Sequence, residues 1–247
     1  MNIIGIIPAR YGSTRLPAKP LLKINGKPLI IIVWENMKKS KLMDRVIVAT
    51  DDERIVEVCK SYGADVVLTS NNLISGTDRV FEAYEKIGNN EDIIVNIQGD
   101  EPLLLANNID ELLNAFINNP LADVGTLITK IYDKQVLASP NVVKVVIDNH
   151  NLALYFSRSI IPYNRDEDLE KWCKSIDYWK HIGVYAYKKD ALYNFVKSSQ
   201  SKYERVEKLE QLRLLENGFR FYCVKVQQDS IGVDTQEDLE LVRKIIK

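Results

Sequence analysis

The residues NIIGIIPA, 2–9, decide the fold. A run this short and this rich in isoleucine predicts a strand covered on both faces, as in a parallel sheet flanked by helices. From it the chain alternates. PLIIIVWENMKKS (28–40) has helical length, with Pro28 at a tolerated first-turn position. RVIVATDD (45–52) reads as a second strand and DERIVEVCKSYG (52–63) as a helix closed by Gly63. ADVVLTS (64–70) is a third strand. TDRVFEAYEKIG (77–88) is a helix that starts at Thr77 or Asp78 and stops at Gly88. DIIVNIQGDEP (92–102) is a fourth strand ending in a polar corner, and NIDELLNAFINN (108–119) a further helix. This rhythm implies right-handed crossovers and a mostly parallel sheet.

After residue 120 the rhythm changes. ADVGTLITKI and NVVKVVID read as strands around a short segment with Pro140, and ALYFSRSIIPYNRD is aromatic, basic and broken by Pro162. WKHIGVYAYKK alternates like a strand, KLEQLRLLENG is a helix ended by Gly218, and FRFYCVKV is a last strand. TQEDLELVRKIIK is a terminal helix with Thr235 as its cap. No linker, repeat or low-complexity tract appears. The expected organisation is one α/β domain over 1–247. Residues 1–130 carry the regular alternation, about 131–190 resemble an insertion, and 191–247 return to the main sheet.

Composition narrows the function classes. A formal net charge of −1 gives no global attraction for nucleic acid or anionic membrane, so any anion must be held by a local cluster. Cys59, Cys173 and Cys223 lie far apart without metal-binding spacing, which fits packing thiols in a reducing compartment. The amino terminus has no basic region, and the longest apolar run, Leu29 to Trp34, is far below the ~20 residues of a membrane span. A cytoplasmic chain is expected.

In an open parallel sheet, ligands sit beyond the carboxyl ends of the strands. Four polar segments leave strands at that edge: PARYGSTRLPAKP, TSNNLISGTDR, QGDEP and IGVDTQED. The first lacks the spacing of a P-loop or of a dinucleotide fingerprint. It offers Arg10, Arg15 and Lys19, with N–H groups around Gly12 and Ser13 able to form an anion nest. Its three prolines stiffen it beyond an ordinary solvated basic loop. Guanidinium forks and a lysine point charge suit a triphosphate. Asp100, at the end of the fourth strand, and Asp234, before the last helix, suit Mg²⁺, which takes one or two protein carboxylates and completes its shell with phosphates. Read singly, Asp100 is a turn residue and Asp234 a cap precursor; together, facing three cations, they form a metal-bridged phosphate site. SGTDR, 75–79, is a helix start whose Ser75 and Asp78 could also read a base edge. In the middle segment His181 reads as packed, and EQLR, 210–213, as a solvated helix face.

These stretches, with NGKPLI, VATDDERI, VKVVID, ALYFSRSIIPY, KHIGVYAY and LEQLRLLENG, run in order along nearly the whole chain. Together they resemble the 3-deoxy-manno-octulosonate (Kdo) cytidylyltransferase family. The resemblance implies a Rossmann-like three-layer α/β/α nucleotidyltransferase fold, homodimeric through its middle strands, with residues 1–130 as the nucleotide-binding part and about 131–190 as an inserted sugar-site and dimer-contact segment. It implies Mg²⁺-dependent transfer of CMP from CTP to the anomeric hydroxyl of Kdo for lipopolysaccharide or capsule assembly. On this resemblance Arg10, Ser13, Arg15 and Lys19 form the phosphate loop. Ala9, Ser75 and Asp78 hold cytidine, and Asp100 and Asp234 hold the metal. Gln98, Arg158, His181, Tyr185, Glu210 and Gln211 line the sugar site. Catalysis falls to Lys19, Arg15, Asp100 and Asp234. Relatives acting on 8-amino-Kdo tend to carry Gln where this chain has Glu101, which favours Kdo. The segment 164–180 has no assigned role. A dinucleotide-dependent oxidoreductase lacks its fingerprint here, and a non-catalytic nucleotide sensor needs no second carboxylate.

Overall fold

The structure, a computed structural model, describes residues 1–12, 16–87 and 91–246. Strand β1 (Ile3–Ala9) is followed by a two-stranded hairpin, β2 (Lys23–Ile24) and β3 (Lys27–Pro28), and then by α1 (Leu29–Met37). Next come β4 (Arg45–Thr50), α2 (Glu53–Ser61), β5 (Val66–Leu68), α3 (Gly76–Ile87), β6 (Ile93–Asn96) and α4 (Ala106–Ile117). The chain continues through β7 (Val124–Ile131), α5 (Lys134–Ala138), β8 (Lys144–Ile147), β9 (Ala153–Ser157) and α6 (Trp172–Ser175). It ends with β10 (Tyr178–Lys188), α7 (Lys189–Lys197), α8 (Lys202–Glu207), α9 (Gln211–Glu216), β11 (Phe221–Val226) and α10 (Gln236–Ile245). These elements gather into two compact units.

The first unit comprises Met1–Asp110, Tyr187–Val196 and Ser230–Lys247. Its strands pair in parallel, β6 and β4 on either side of β1 and β5 beyond β4. Ile4, Ile6 and Ile7 of β1 are fully buried, which is why so apolar a run is required there. Asp52 caps α2 by accepting the Arg54 N–H, and Gly63 closes that helix at a φ of 71°. Helix α3 begins one residue before Thr77: the Ser75 hydroxyl accepts the Asp78 N–H while the Asp78 carboxylate accepts from Ser75 N–H and Oγ–H. Ser75 is therefore the cap, and the expected start at Thr77 or Asp78 is corrected. The stop at Gly88 lies outside the described residues. Thr235 caps α10 in a reciprocal capping box with Asp238.

The second unit comprises Glu111–Ala186 and Lys197–Asp229. Here β11 pairs in parallel with β7, while β8 runs antiparallel to both β10 and β9. Segment 164–180 has a packing role. Trp172 stacks on Tyr178, and both join Ile131 and Leu137 in a small satellite core. The Tyr178 hydroxyl donates to Pro162 O and the Trp172 indole to Glu167 O. Lys130 pairs with Asp177 and Lys134 with Glu170, which gives two of the acidic residues there a partner. Among the described residues, no helix is long and apolar enough to cross a membrane.

Candidate active site

In the first unit the carboxyl ends of β1 and β6 lie side by side, and three loops are drawn together beyond them. Ala18 adopts a left-handed conformation (φ 55°) and starts the single turn Lys19–Leu21. Gly99 brings the chain after β6 so close to β1 that an added Cβ would lie 2.9 Å from Pro8 O. The Val233 N–H donates to Asp100 O at 2.8 Å, which docks the segment before α10 on the same corner. The Lys19 ammonium, at this meeting point, donates to Asp100 Oδ2 at 2.6 Å and to Asp234 Oδ1 at 3.0 Å. Burial pulls the Lys19 pKa down, but attraction and hydrogen bonds from the two carboxylates outweigh it and the net displacement is upward.

The loop after β1 is tied on two sides. The Arg10 guanidinium donates to Leu73 O at 2.8 Å, joining it to the segment that ends at Ser75. Arg54, gripped by both oxygens of Asp52, lies with its guanidinium carbon 3.3 Å from the Tyr11 ring centroid. Beneath them Arg79, wholly buried, donates to Asp51 Oδ2 at 2.6 Å and to the Thr69 hydroxyl. That pair ties the end of β4 to the first turn of α3. Ala9 closes β1 in a buried position, and the Gln98 amide donates to Asn96 Oδ1 at 3.4 Å. Ser13 and Arg15 lie outside the described residues.

In the second unit, His181 on β10 faces Thr126 on β7, with Nε2 and Oγ1 2.9 Å apart. The Thr126 hydroxyl has a single hydrogen and lies 2.8 Å from Val184 O, so the hydroxyl donates there and His181 Nε2–H donates to it. Nδ1 is then an acceptor. Burial pushes the His181 pKa down to about 3, and the ring is neutral at neutral pH. One turn of strand away, the Tyr185 hydroxyl donates to Gln211 Oε1 at 3.1 Å. Gln211 Nε2 is buried without a hydrogen-bond partner among the described residues. Arg158, directly after β9, donates from Nε to Glu207 O at 2.8 Å and from a terminal nitrogen to Pro140 O at 3.0 Å. Glu210 occupies the cap position of α9.

Residues 4–227 match the family model described as Cytidylyltransferase. Among curated proteins, the chain is 46% identical over its full length to the 3-deoxy-manno-octulosonate cytidylyltransferase of Chlorobaculum tepidum, covering 98% of it. It is 46% identical to that of Parabacteroides distasonis over 97% of this chain and 96% of the relative. The chain belongs to the 3-deoxy-manno-octulosonate cytidylyltransferase family. A solved structure of CMP:2-keto-3-deoxy-manno-octonic acid synthetase complexed with CTP superposes with a TM-score of 0.92 at 40% identity, covering 100% of this chain and 98% of that one. The α/β nucleotidyltransferase fold with its mostly parallel mixed sheet is that of this structure. The more distant 4-diphosphocytidyl-2C-methyl-D-erythritol synthase of Anaerococcus prevotii shares the fold alone, with a TM-score of 0.67 at 14% identity over 99% of this chain and 98% of that one.

In this member of the cytidylyltransferase family, some of the residues singled out by sequence touch one another, Lys19 with Asp100 and Asp234, Ser75 with Asp78, and Tyr185 with both His181 and Gln211, while Arg10, Gln98 and Arg158 bond to other residues. Ser75 and Asp78 touch as a helix cap. The EQLR stretch is not a solvated face, since Gln211 and Arg213 are buried at 3% and 4% exposure. Arg213 forms a two-pronged pair with Glu204, at 2.9 and 2.6 Å. Sequence reading passed over Tyr11, Arg54, Asp51 and Arg79. VATDDERI held a signal for two of them, because acidic residues at a strand end need a partner when buried.

Proposed function

We propose that the chain transfers CMP from CTP to the anomeric hydroxyl of Kdo, releasing pyrophosphate and giving CMP-Kdo for lipopolysaccharide or capsule assembly. The observation that carries this reading is the convergence of the Lys19 ammonium on Asp100 and Asp234 beyond the strand ends, in a chain related over its full length to Kdo cytidylyltransferases. Both substrates are anions, so their approach requires positive charge at the phosphates.

Two carboxylates that already share one cation suit a hard divalent ion. No cluster of three or more His, Cys, Asp or Glu side chains suited to a metal occurs among the described residues. Such a poor protein donor set fits Mg²⁺, whose remaining ligands would be phosphate oxygens and water. Asp100 and Asp234 would hold it, and it would neutralise charge on the transferring and leaving oxygens. Arg10, Ser13, Arg15 and Lys19 bind the triphosphate. Ala9, Ser75 and Asp78 hold the cytidine. Arg158 supplies the cation for the sugar carboxylate. His181, neutral, acts through its ring nitrogen as a hydrogen-bond partner. Gln211, whose Nε2 has no hydrogen-bond partner among the described residues, provides further polar contacts to the sugar with Gln98, Tyr185 and Glu210. The acceptor oxygen attacks the α-phosphorus in line, without a covalent enzyme intermediate, and positioning is most of the catalysis. The chain works as a single nucleotidyltransferase domain in a cytoplasmic homodimer, with residues 131–190 serving sugar binding and subunit pairing.

Pyrophosphate release from CTP, Mg²⁺ and either Kdo or 8-amino-Kdo tests the reading, with Asp100→Asn as control. Release with Kdo that requires metal and is lost in the variant is the expected result. Release with the amino sugar alone would move the substrate, and no release with either acid would withdraw the assignment.

A further inference from the structure

The geometry points to Lys144 and Glu207 as positioning residues that aim Arg158 at the acid sugar, an inference resting on the sugar-site reading above. The main chain of Arg158 is gripped from both sides. Its N–H donates to Glu207 Oε2 at 2.9 Å, and its carbonyl accepts from the Lys144 ammonium at 2.5 Å. Ser157 Oγ donates to the other Glu207 oxygen at 2.6 Å and accepts the Ser159 N–H at 3.0 Å. Lys144 gives its two remaining hydrogens to Ser139 O at 2.8 Å and Val142 O at 2.7 Å.

Lys144 is fully buried, a costly place for an ammonium. A methionine would fill similar space without that cost, so the three donors serve something other than packing. They join the 139–142 turn, the start of β8 and the end of β9 at one nitrogen. Glu207 adds a further segment. It is the last residue of α8, and Lys208 (φ 55°) then turns the chain toward Glu210 and Gln211. One carboxylate thereby fixes Arg158 relative to the segment that carries two other sugar-site candidates.

The guanidinium itself is engaged by carbonyls alone: Glu207 O through Nε, Pro140 O, and Lys208 O at 3.5 Å. Three of its five N–H groups are used, and no side-chain carboxylate hydrogen-bonds to it among the described residues. Its charge remains available for an anionic ligand. Losing the clamp would leave that charge present but misdirected, and misplacement of a binding group by ~1 Å can cost up to ~100-fold.

The test is steady-state kinetics of Glu207→Ala, Glu207→Gln and Lys144→Met, with Arg158→Ala as reference, varying Kdo and CTP separately. Glu207→Ala is expected to raise the KM for Kdo ~10- to 100-fold while leaving the KM for CTP unchanged. Glu207→Gln should recover most of this. Its amide oxygen can accept the Arg158 N–H, and the Ser157 hydroxyl can turn to accept from its nitrogen. Lys144→Met should resemble Glu207→Ala; if it fails to fold, the Glu207 pair decides. Equal changes in both KM values, or none in Glu207→Ala while Arg158→Ala loses Kdo affinity, would overturn the positioning role and leave the sugar site standing. An unchanged KM for Kdo in Arg158→Ala would overturn both.

Discussion

The Lys19 ammonium lies 2.6 Å from the Asp100 carboxylate across 81 residues of chain. The same nitrogen reaches Asp234, so one side chain from the loop after β1 closes the gap between the corner after β6 and the segment before α10. In the proposed reaction a divalent cation would compete with this ammonium for the same oxygens, and the phosphates of CTP would offer the lysine an alternative partner.

Lys19→Met removes a positive charge from between the two carboxylates. Without nucleotide, Mn²⁺ should then bind about tenfold tighter, equivalent to ~1.4 kcal/mol. Turnover should fall ~100-fold or more for want of a cation at the phosphates. Electron paramagnetic resonance of free Mn²⁺ reads the first effect and pyrophosphate release the second. Weaker Mn²⁺ binding would remove the two aspartates as a metal pair.

His181 links stability to pH. Its pKa is about 3 in the folded chain against an ordinary 6.5. Below 6.5 the unfolded chain takes up a proton that the folded chain refuses until about 3, so stability falls on acidification through that window. The slope approaches ~1.4 kcal/mol per pH unit. His181→Gln keeps an N–H for Thr126 and cannot titrate. From pH 7 to 5 the wild type should lose about 2 kcal/mol more than this variant, measured by urea unfolding at each pH. Equal losses would mean that the folded chain carries His181 charged.

Glu204 and Arg213 form an ion pair with side chains 4% and 5% exposed, joining α8 to α9. Breaking such a pair leaves a buried charge without compensation and costs ~3–5 kcal/mol. Glu204→Ala should destabilise by that amount, while replacing both residues, Glu204→Leu with Arg213→Met, should recover much of it. Chemical denaturation of the two variants checks this; a single variant as stable as the double would show that the charge finds water.

The first unit is legible in its sequence because β1, β4 and β6 are short buried isoleucine and valine runs that each end in a polar corner. Asp100 stands at such a corner after β6 and Lys19 in the loop after β1, so their meeting follows from the pairing of these two strands, whereas Asp234 arrives on the segment before α10. The second unit is harder to read. Helix α5 is barely one turn, too short for a 3.6-residue period to register. Helix α8 and EQLR look solvated because their inward charges, Glu204 and Arg213, neutralise each other across two helices. The Arg158 clamp joins the side chains of Lys144 and Glu207, distant in sequence, to main-chain groups that every residue has, so no local pattern around Arg158 marks it.

Gly99 and Gly76 both abut Pro8, and they should respond in opposite ways to a methyl group. A Cβ at Gly99 would stand 2.9 Å from Pro8 O and 3.4 Å from side-chain atoms of Ile7 and Ile30. The isoleucines can give, but the carbonyl belongs to β1 and moves only with Ala9 and Arg10. At Gly76 the nearest atom is the Pro8 Cγ at 3.6 Å, an ordinary contact, and the position opens a helix. Gly99→Ala should therefore cost ~1–3 kcal/mol and lower kcat/KM for CTP, because it displaces Asp100 as well as the end of β1. Gly76→Ala should stay within about 0.5 kcal/mol of wild type or gain slightly from reduced chain entropy. Thermal unfolding and CTP kinetics on the two variants decide the matter. Equal tolerance would show that β1 and the corner after β6 can separate, and that Asp100 does not owe its place to their close approach.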